Sequence, residues 1–383
     1  MSIQPQPDYD YIIAGAGAAG LSLLTRMIRS GKFSHKKILL IDKEPKLRND
    51  RTWCFWEQGD GPFEEIVHRK WSRIWYHGKG FSRQYNILPY HYKMIRGIDF
   101  YRYCFDAINA QKNITIAYGS ITGMHSCEQE TWLSLDGRKI TAATIFSSIF
   151  TKPVEQTGEH FLQQHFKGWI IETKKPFFKP EEATLMDFRV GQQHGATFVY
   201  VMPFSPTRAL VEYTLFTESL LQPQEYDAGL QDYIKNYLAC DEYKVMEEEF
   251  GIIPMTNHRF PRNQGNIVYI GTAGGQTKSS SGYTFRFIQK GADALIKELL
   301  EGNQPLYHAS PSFRYHFYDS VLLNVLATGK AACADIFTDL FKKNPPHRIF
   351  RFLDNESSLP DDIKLMATLP TWPFLKAGVQ ELL

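Results

Sequence analysis

Apolar positions along this chain follow two rhythms: short unbroken runs, and runs with a period near 3.6. Tyr11-Ile12-Ile13-Ala14 is of the first kind and reads as a strand buried on both faces. Gly15-x-Gly17-x-x-Gly20 follows at once, and a helical spacing continues to about Ser30. Ile38 to Ile41 is a second unbroken run, closed by Asp42. Strand, glycine turn, helix, strand and acid make a complete βαβ unit, with the acid roughly 20 residues beyond the last glycine.

A polar loop, Glu44 to Arg51, leads to the aromatic run Trp53 to Trp56. Residues 97–110 read as a helix with Phe100, Phe105 and Ile108 among its apolar positions, and Ile114 to Ala117 as a strand. Three more strand signals lie between 120 and 150, with a turn at Asp136-Gly137; the last, Thr144 to Ile149, is apolar enough to re-enter a buried sheet. The pattern then changes. Trp169–Thr173, Ala183–Phe188, Phe198–Pro203 and Arg208–Phe216 are strand-like, separated by turns such as His194-Gly195 and Ser205-Pro206, as in an antiparallel sheet. Residues 227–248 read as a helix. Asn266 to Gly271 is again a buried strand running into glycine, followed by a loop through Gly274-Gly275 and Ser279–Gly282 and a long helix from Tyr283 to Leu300. Residues 311–343 read as helical and the remainder as less regular.

This order predicts the α/β class: a Rossmann-like, two-dinucleotide-binding flavoprotein fold with an antiparallel β-sheet substrate domain and a C-terminal helical region. The expected division is 1–154 for the first part of the cofactor domain, 155–250 for the substrate sheet, 251–302 for the return to the cofactor domain and 303–383 for the helical region.

Composition narrows the function. With 383 residues the chain exceeds a single simple core, and 43% hydrophobic against 22% charged residues describes an ordinary folded protein. A net charge of +2 supplies no general attraction to nucleic acid. The 5 cysteines are scattered and form no CxxC, which supports neither a disulfide framework nor a metal site. The N-terminal ten residues lack the basic and apolar regions of a secretory signal, and no run reaches the roughly 18 apolar residues of a membrane span. The expected compartment is the cytoplasm. Aromatic residues are abundant at 14%, which fits either a large core or a cavity for an extended apolar ligand.

The candidate chemistry begins at the glycine loop. Gly15 makes the tight turn, Gly17 admits a pyrophosphate to the backbone beside Ala19, and Gly20 lets helix and strand pack closely. The helix N-terminus offers free N–H groups to phosphate and Asp42 accepts a ribose hydroxyl. The later strand–glycine–helix unit, with Gly271, Thr272, Gly275 and Gly282, supplies the second helix N-terminus that a large dinucleotide needs. A purely structural glycine turn is the alternative.

Several segments together resemble the lycopene beta-cyclases: GAGAAGLSLL at the first glycine motif, NDRTWCFW at 49–56, MIRGIDFY at 94–101, YVMPFSPTRALVEYTLF at 200–216, SSSGYTF at 279–285 and RFLDNESSLPDDIKLMATLP at 351–370. The likeness spans nearly the whole chain, and nothing about dinucleotide binding requires the second or fourth segment. It implies an FAD enzyme, active with reduced flavin and using NAD(P)H as electron source, that closes the ends of lycopene or a related acyclic carotenoid into β-ionone rings without net oxidation. A proton adds to the terminal double bond, the next double bond attacks the cation, and loss of a proton completes the ring.

The resemblance also assigns residues. Glu212 matches the acidic position of the substrate-domain strand, and a carboxyl between Val211 and Tyr213 on a buried strand has its pKa raised by desolvation. A solvent-facing Glu212 or an ion pair with Arg208 is the plain alternative, and reduced flavin is a competing proton donor. Glu249, last of the run Glu247-Glu248-Glu249, is a second candidate carboxylate, although three glutamates at a helix end are usually solvated. Arg51, beside Asp50, and Arg96, before Gly97, are candidate cofactor contacts; ordinary ion pairs are the alternative. Thr272 stands where related cofactor motifs commonly carry an acid, and the loop Lys278–Gly282 lacks the His-Pro form common in the family. Trp53, Phe55, Trp56 and Tyr213 are candidates for solvating a cation through their ring faces. A carotenoid substrate implies transient contact with a membrane surface, and the basic-aromatic segments 341–343 and 347–352 are a candidate patch, an ordinary helix end being the alternative. Nothing in the sequence specifies an oligomeric state. The competing readings are a flavin-dependent monooxygenase or other FAD oxidoreductase on the same architecture, and a non-catalytic lipid-binding module.

Overall fold

The computed structural model describes residues 7–150, 159–305 and 313–382. In chain order its elements begin with β1 (Tyr9–Ala14), α1 (Ala18–Ser30), β2 (Ile38–Asp42), β3 (Thr52–Gln58), β4 (Arg69–Trp71), β5 (Arg73–Gly78), β6 (Phe81–Asn86), β7 (Tyr90–Arg96) and α2 (Gly97–Asn109). They continue with β8 (Ile114–Tyr118), β9 (Ile121–Ser126), β10 (Thr131–Leu135), β11 (Arg138–Ser147), β12 (Phe161–Thr173), β13 (Glu182–Asp187), β14 (Ala196–Pro203), β15 (Arg208–Thr217) and α3 (Pro223–Asn236). The last are β16 (Tyr243–Thr256), β17 (Asn263–Gln264), β18 (Ile267–Tyr269), α4 (Phe285–Leu300), α5 (Phe313–Ala327), α6 (Cys333–Lys343), α7 (Pro346–Leu353), α8 (Leu359–Met366) and α9 (Thr371–Gln380).

The first sheet has a parallel centre in the order β18-β11-β1-β2-β8. Its strands are unbroken apolar runs because helices or other strands cover both faces; all five residues of β2 are buried. β11 has a double role: its first half closes a hairpin with β10, and its second half runs parallel to β1. Asp136 and Gly137, both at positive φ, make that hairpin turn, as their sequence announces. Helices α1, α2 and α4 pack against the sheet through Leu21, Leu24, Phe100 and Ile288.

The second sheet has seven strands in the order β16-β12-β15-β14-β13-β5-β6. Alternation divides its side chains cleanly. Trp169, Val199, Val201, Val211 and Tyr213 face α3, whereas Ile170, Phe198, Tyr200, Met202 and Leu210 face inward. A three-stranded sheet, β3-β7-β4, lies between the two large ones in sequence and sends Trp56, Tyr92 and Met94 into the same core as that inward face.

Three expectations are corrected. The helix expected to run to 248 ends at Asn236, and 243–256 is the edge strand β16, paired along its length with β12. Tyr243-Lys244-Val245-Met246-Glu247-Glu248 holds several good helix formers, and the long ladder with β12 overrides that local preference. Residues 52–96 hold four strands beyond the aromatic run, which is itself strand β3, and two of them, β5 and β6, join the second sheet although the expected boundary placed them in the first segment. The boundary expected at 154–155 itself lies outside the described residues. The chain beyond 343 is regular, forming α7, α8 and α9. Phe341, Ile349 and Phe350, expected at a membrane interface, are buried in the core against Tyr76, Tyr85 and Trp56.

Candidate active site

A cavity of about 450 Å³ runs from the first glycine loop to the inward face of the second sheet. Gly17, Ala18 and Ala19 line one part; Gly271, Thr272 and Gly282–Phe285 line another; Tyr200, Met202 and Glu212 line the sheet side. Two helix N-termini border it, those of α1 and α4. Neither N-cap residue, Gly17 or Thr284, caps its helix through a side chain. Their free N–H groups suit anionic oxygen atoms.

The three glycines of the first loop differ physically. Gly15 has φ +106° and its N–H bonds to Ile41, so only glycine adopts that turn without strain. A Cβ on Gly20 would lie 2.0 Å from the Gly15 carbonyl oxygen, so its bareness serves helix–strand packing. A Cβ on Gly17 would meet nothing within 4 Å: its bareness leaves open space over the helix end. These residues fit a dinucleotide pyrophosphate.

Asp42 is buried and occupied. One carboxylate oxygen accepts the Ala16 N–H at 2.7 Å and the other pairs with Lys46 at 2.9 Å. Asp42 thus braces the glycine loop, and Lys46, which the sequence reading passed over, is the cation at the cavity wall. Arg51 lines the cavity, exposed. Arg96 opens α2 as expected, but its guanidinium is bidentate on Asp99 at 2.6 and 3.0 Å and is not among the cavity-lining groups. Asp50 lines the cavity and accepts the Tyr101 hydroxyl at 2.8 Å. Gly275 borders a second cavity of about 440 Å³, which Thr272 also touches; the Thr272 hydroxyl accepts from Thr277 at 3.4 Å.

The acidic end of the cavity is built by strand register. Tyr200 on β14 lies opposite Glu212 on β15, Glu212 lies opposite Gly168 on β12, and Gly168 lies opposite Glu249 on β16. All four residues therefore stand in one row, and the row faces the cavity. Glu212 is buried, 8% exposed, and its Oε1 accepts the Thr214 hydroxyl at 3.0 Å. Glu249 Oε2 accepts the Thr52 hydroxyl at 2.7 Å, its enclosed Oε1 has no hydrogen-bond partner among the described residues, and the Glu249 carboxyl as a whole interacts with that of Glu212. Burial and the Glu249 charge push the Glu212 carboxyl well above the usual carboxylate range. Burial raises Glu249 too, but hydrogen bonds from Thr52 and Glu212 and the nearby Arg51 charge oppose it. Both carboxyls are raised by burial, so the pair as a whole holds a proton above the usual carboxylate range.

Desolvation of Glu212 does not come from its chain neighbours. Val211 and Tyr213 point the other way, onto α3, because successive strand residues alternate faces. Arg208 pairs with Glu172 at 3.9 Å, not with Glu212. Tyr92 and Tyr200, buried, and Tyr283, half-buried, all with hydroxyl pKa values raised chiefly by burial, wall the carboxyl in, with Cys54 and Met202 beside them. Of the aromatic residues proposed from sequence, Trp53 lines the cavity. Trp56 is stacked on Phe350 and Phe55 on Phe285, inside the core. Thr52, Tyr200 and Tyr283 all lie inside the segments that carried the resemblance; Tyr92 and Gly168 carried no signal.

The three-part arrangement of parallel sheet, antiparallel sheet and helices is a two-domain flavoprotein fold. A solved flavoprotein/dehydrogenase from Cytophaga hutchinsonii superimposes with a TM-score of 0.61 at 13% identity, covering 98% of each chain. Within that class, residues 10–378 match the family profile described as lycopene cyclase protein, and the chain belongs to that family. The lycopene beta-cyclase of Pantoea ananas is 24% identical over 399 residues, covering 97% of each chain. That of Pseudescherichia vulneris is 23% identical over 392 residues, covering 96% of each.

Proposed function

We propose that this protein binds FAD along the cavity and cyclises the acyclic ends of lycopene or a related carotenoid to β-ionone rings. The observation that carries the reading is the buried Glu212, with half-buried Glu249 beside it, at the end of a cavity that starts at two uncapped helix N-termini. Gly17 to Ala19 hold the pyrophosphate, and Gly271, Thr272 and the start of α4 hold the flavin half. Bound reduced flavin, kept so by NAD(P)H, supplies an electron-rich surface for the chemistry.

Protein side chains carry the proton. The protonated Glu212 carboxyl gives its proton to the terminal double bond of the end group, and its carbonyl oxygen then faces the cation as a carboxylate. Tyr92, Tyr200 and Tyr283 present ring faces to the positive charge, each worth about 0.5–2 kcal/mol. The ring closes when the neighbouring double bond attacks, and a proton leaves the new ring, so atoms and electrons balance without oxidation. Glu249 holds the acid in place and, with Thr52, keeps the second charge inside a wall that excludes water.

The substrate is a hydrocarbon and reaches the protein from a bilayer. No helix among the described residues is long and apolar enough to cross a membrane. Contact is made at the surface, through α9, which exposes Trp372, Leu375 and Val379.

Expression in a lycopene-accumulating bacterial host tests the reading. A bicyclic, yellow-orange product is expected, and purified reduced protein in heavy water should place one deuteron in each ring formed. Glu212→Gln should lower turnover by roughly 10²–10⁴-fold, the range for loss of a general acid, with FAD retained. Unchanged lycopene beside folded, flavin-loaded protein rejects the reading. Consumption of NAD(P)H and oxygen in proportion to product would assign a monooxygenase instead.

A further inference from the structure

We propose that Gly168 is a positioning residue, whose missing side chain is the gap through which Glu249 reaches Glu212; this rests on the cyclase reading for its purpose, not for its geometry. Glu212 and Glu249 sit on β15 and β16, which do not touch each other: β12 runs between them. Two strand spacings separate their backbones, about 9–10 Å. Their carboxyls meet only by leaning over the intervening residue, and that residue is Gly168.

Gly168 does not need to be glycine for its backbone. It lies in the interior of β12, paired on both sides, and does not have a left-handed φ. A glycine there weakens the strand relative to alanine. What it provides is space. A Cβ would stand 3.0 Å from Glu249 Cγ and 3.2 Å from Glu249 Oε1, on one side, and 2.9 Å from Leu210 Cδ1 on the other. A methyl group at 168 thus forces the Leu210 side chain to shift and presses Glu249 back by a few tenths of an ångström, away from Glu212.

The titratable groups around Glu212 come from every element packed on it. They are Glu249 on β16, Cys54 on β3, Tyr92 on β7, Tyr200 on β14 and Tyr283 ahead of α4, with Arg51 and Glu247 acting on Glu249. Of the groups facing Glu212, Glu249 is the charged one that the 168 side chain touches. Pressing it back leaves the burial of Glu212 and weakens its contact with the like charge, so Glu212 gives up its proton at lower pH.

The test is infrared titration of flavin-loaded protein labelled with ¹³C-glutamate. The protonated-carboxyl band of Glu212 is identified by its loss in Glu212→Gln. In Gly168→Ala the midpoint of that band should fall. Glu249→Gln should lower it similarly, and the double variant no further than either alone. Leu210→Ala, alone and with Gly168→Ala, removes the second contact and covers the case in which the single variant folds poorly. Lowered cyclisation in Gly168→Ala with an unmoved midpoint would overturn the proposal, since a merely structural defect leaves the titration where it was. Wild-type protein that forms no ring would reject the cyclase reading and leave this measurement valid.

Discussion

Glu212 sits where a carboxylate is unfavourable, and that has a consequence for stability as well as chemistry. Its folded-state pKa is raised, so it favours folding fully only below its unfolded value, about 4.3. That contribution is lost as pH rises through the folded value. Glu212→Gln removes this dependence. The variant should therefore melt close to the parent at pH 4 and above it at neutral pH. The gap should widen by up to about 1.4 kcal/mol per pH unit until the folded pKa is passed. Thermal melts across that range check it; a variant less stable than the parent at pH 8 contradicts a buried, proton-bearing Glu212. At this scale the sequence was legible for identity and illegible for environment. The segment 200–216 marked Glu212, but its chain neighbours Val211 and Tyr213 belong to the opposite face, and the groups that desolvate it come from β3, β7, β14 and the approach to α4. Register across strands, not adjacency along one, makes the site.

Among elements, the βαβ unit was read nearly to the residue because each of its parts carries its own physical signal: apolar strands, glycines at a turn and an amphipathic helix. Its glycines make separable predictions. Gly17→Ala meets open space, so the apoprotein should keep its melting temperature and lose FAD affinity as the methyl group meets the pyrophosphate. Gly20→Ala drives a carbon against the Gly15 carbonyl, so the apoprotein itself should melt lower. Flavin titration alongside apoprotein melting separates the two; equal melting losses in both would remove the ligand role of Gly17. β16 was the opposite case. Its sequence favours a helix, and only the ladder to β12 makes it a strand. The same ladder converts Glu249 from one of three solvated glutamates into an inward-facing partner of Glu212, while its neighbour Glu248 pairs outward with Lys167 at 3.1 Å.

For the molecule as a whole, the C-terminal helices divide into a part that closes the core and a part that faces out. α6 and α7 carry Phe337, Phe341 and Phe350 inward, completing the core between the second sheet and β3-β7-β4. The basic-aromatic pattern at 341–352 looked interfacial because composition does not say which way a ring points. α9 does face out. At 100° per residue, Trp372, Leu375, Val379 and Leu382, the last just past its end, fall within an arc of about 80°, and each is more than half exposed, Trp372 at 81%. The opposite side holds the helix on the protein: Ala377 is buried, and Glu381 receives hydrogen bonds from His160 and Asn324 at 2.7 Å. For the proposed carotenoid substrate, an apolar stripe fixed outward suits insertion at the lipid surface, where Lys376 beside it adds attraction to anionic headgroups. Trp372→Glu with Leu375→Glu should abolish most sedimentation with anionic vesicles, since each buried side chain contributes about 1.5–3 kcal/mol. The double variant should keep its flavin and its turnover of detergent-dispersed lycopene, while losing turnover of lycopene presented in vesicles. Equal activity on both substrates would place membrane contact elsewhere on the molecule, because a docking helix acts on delivery and leaves the chemistry at Glu212 untouched.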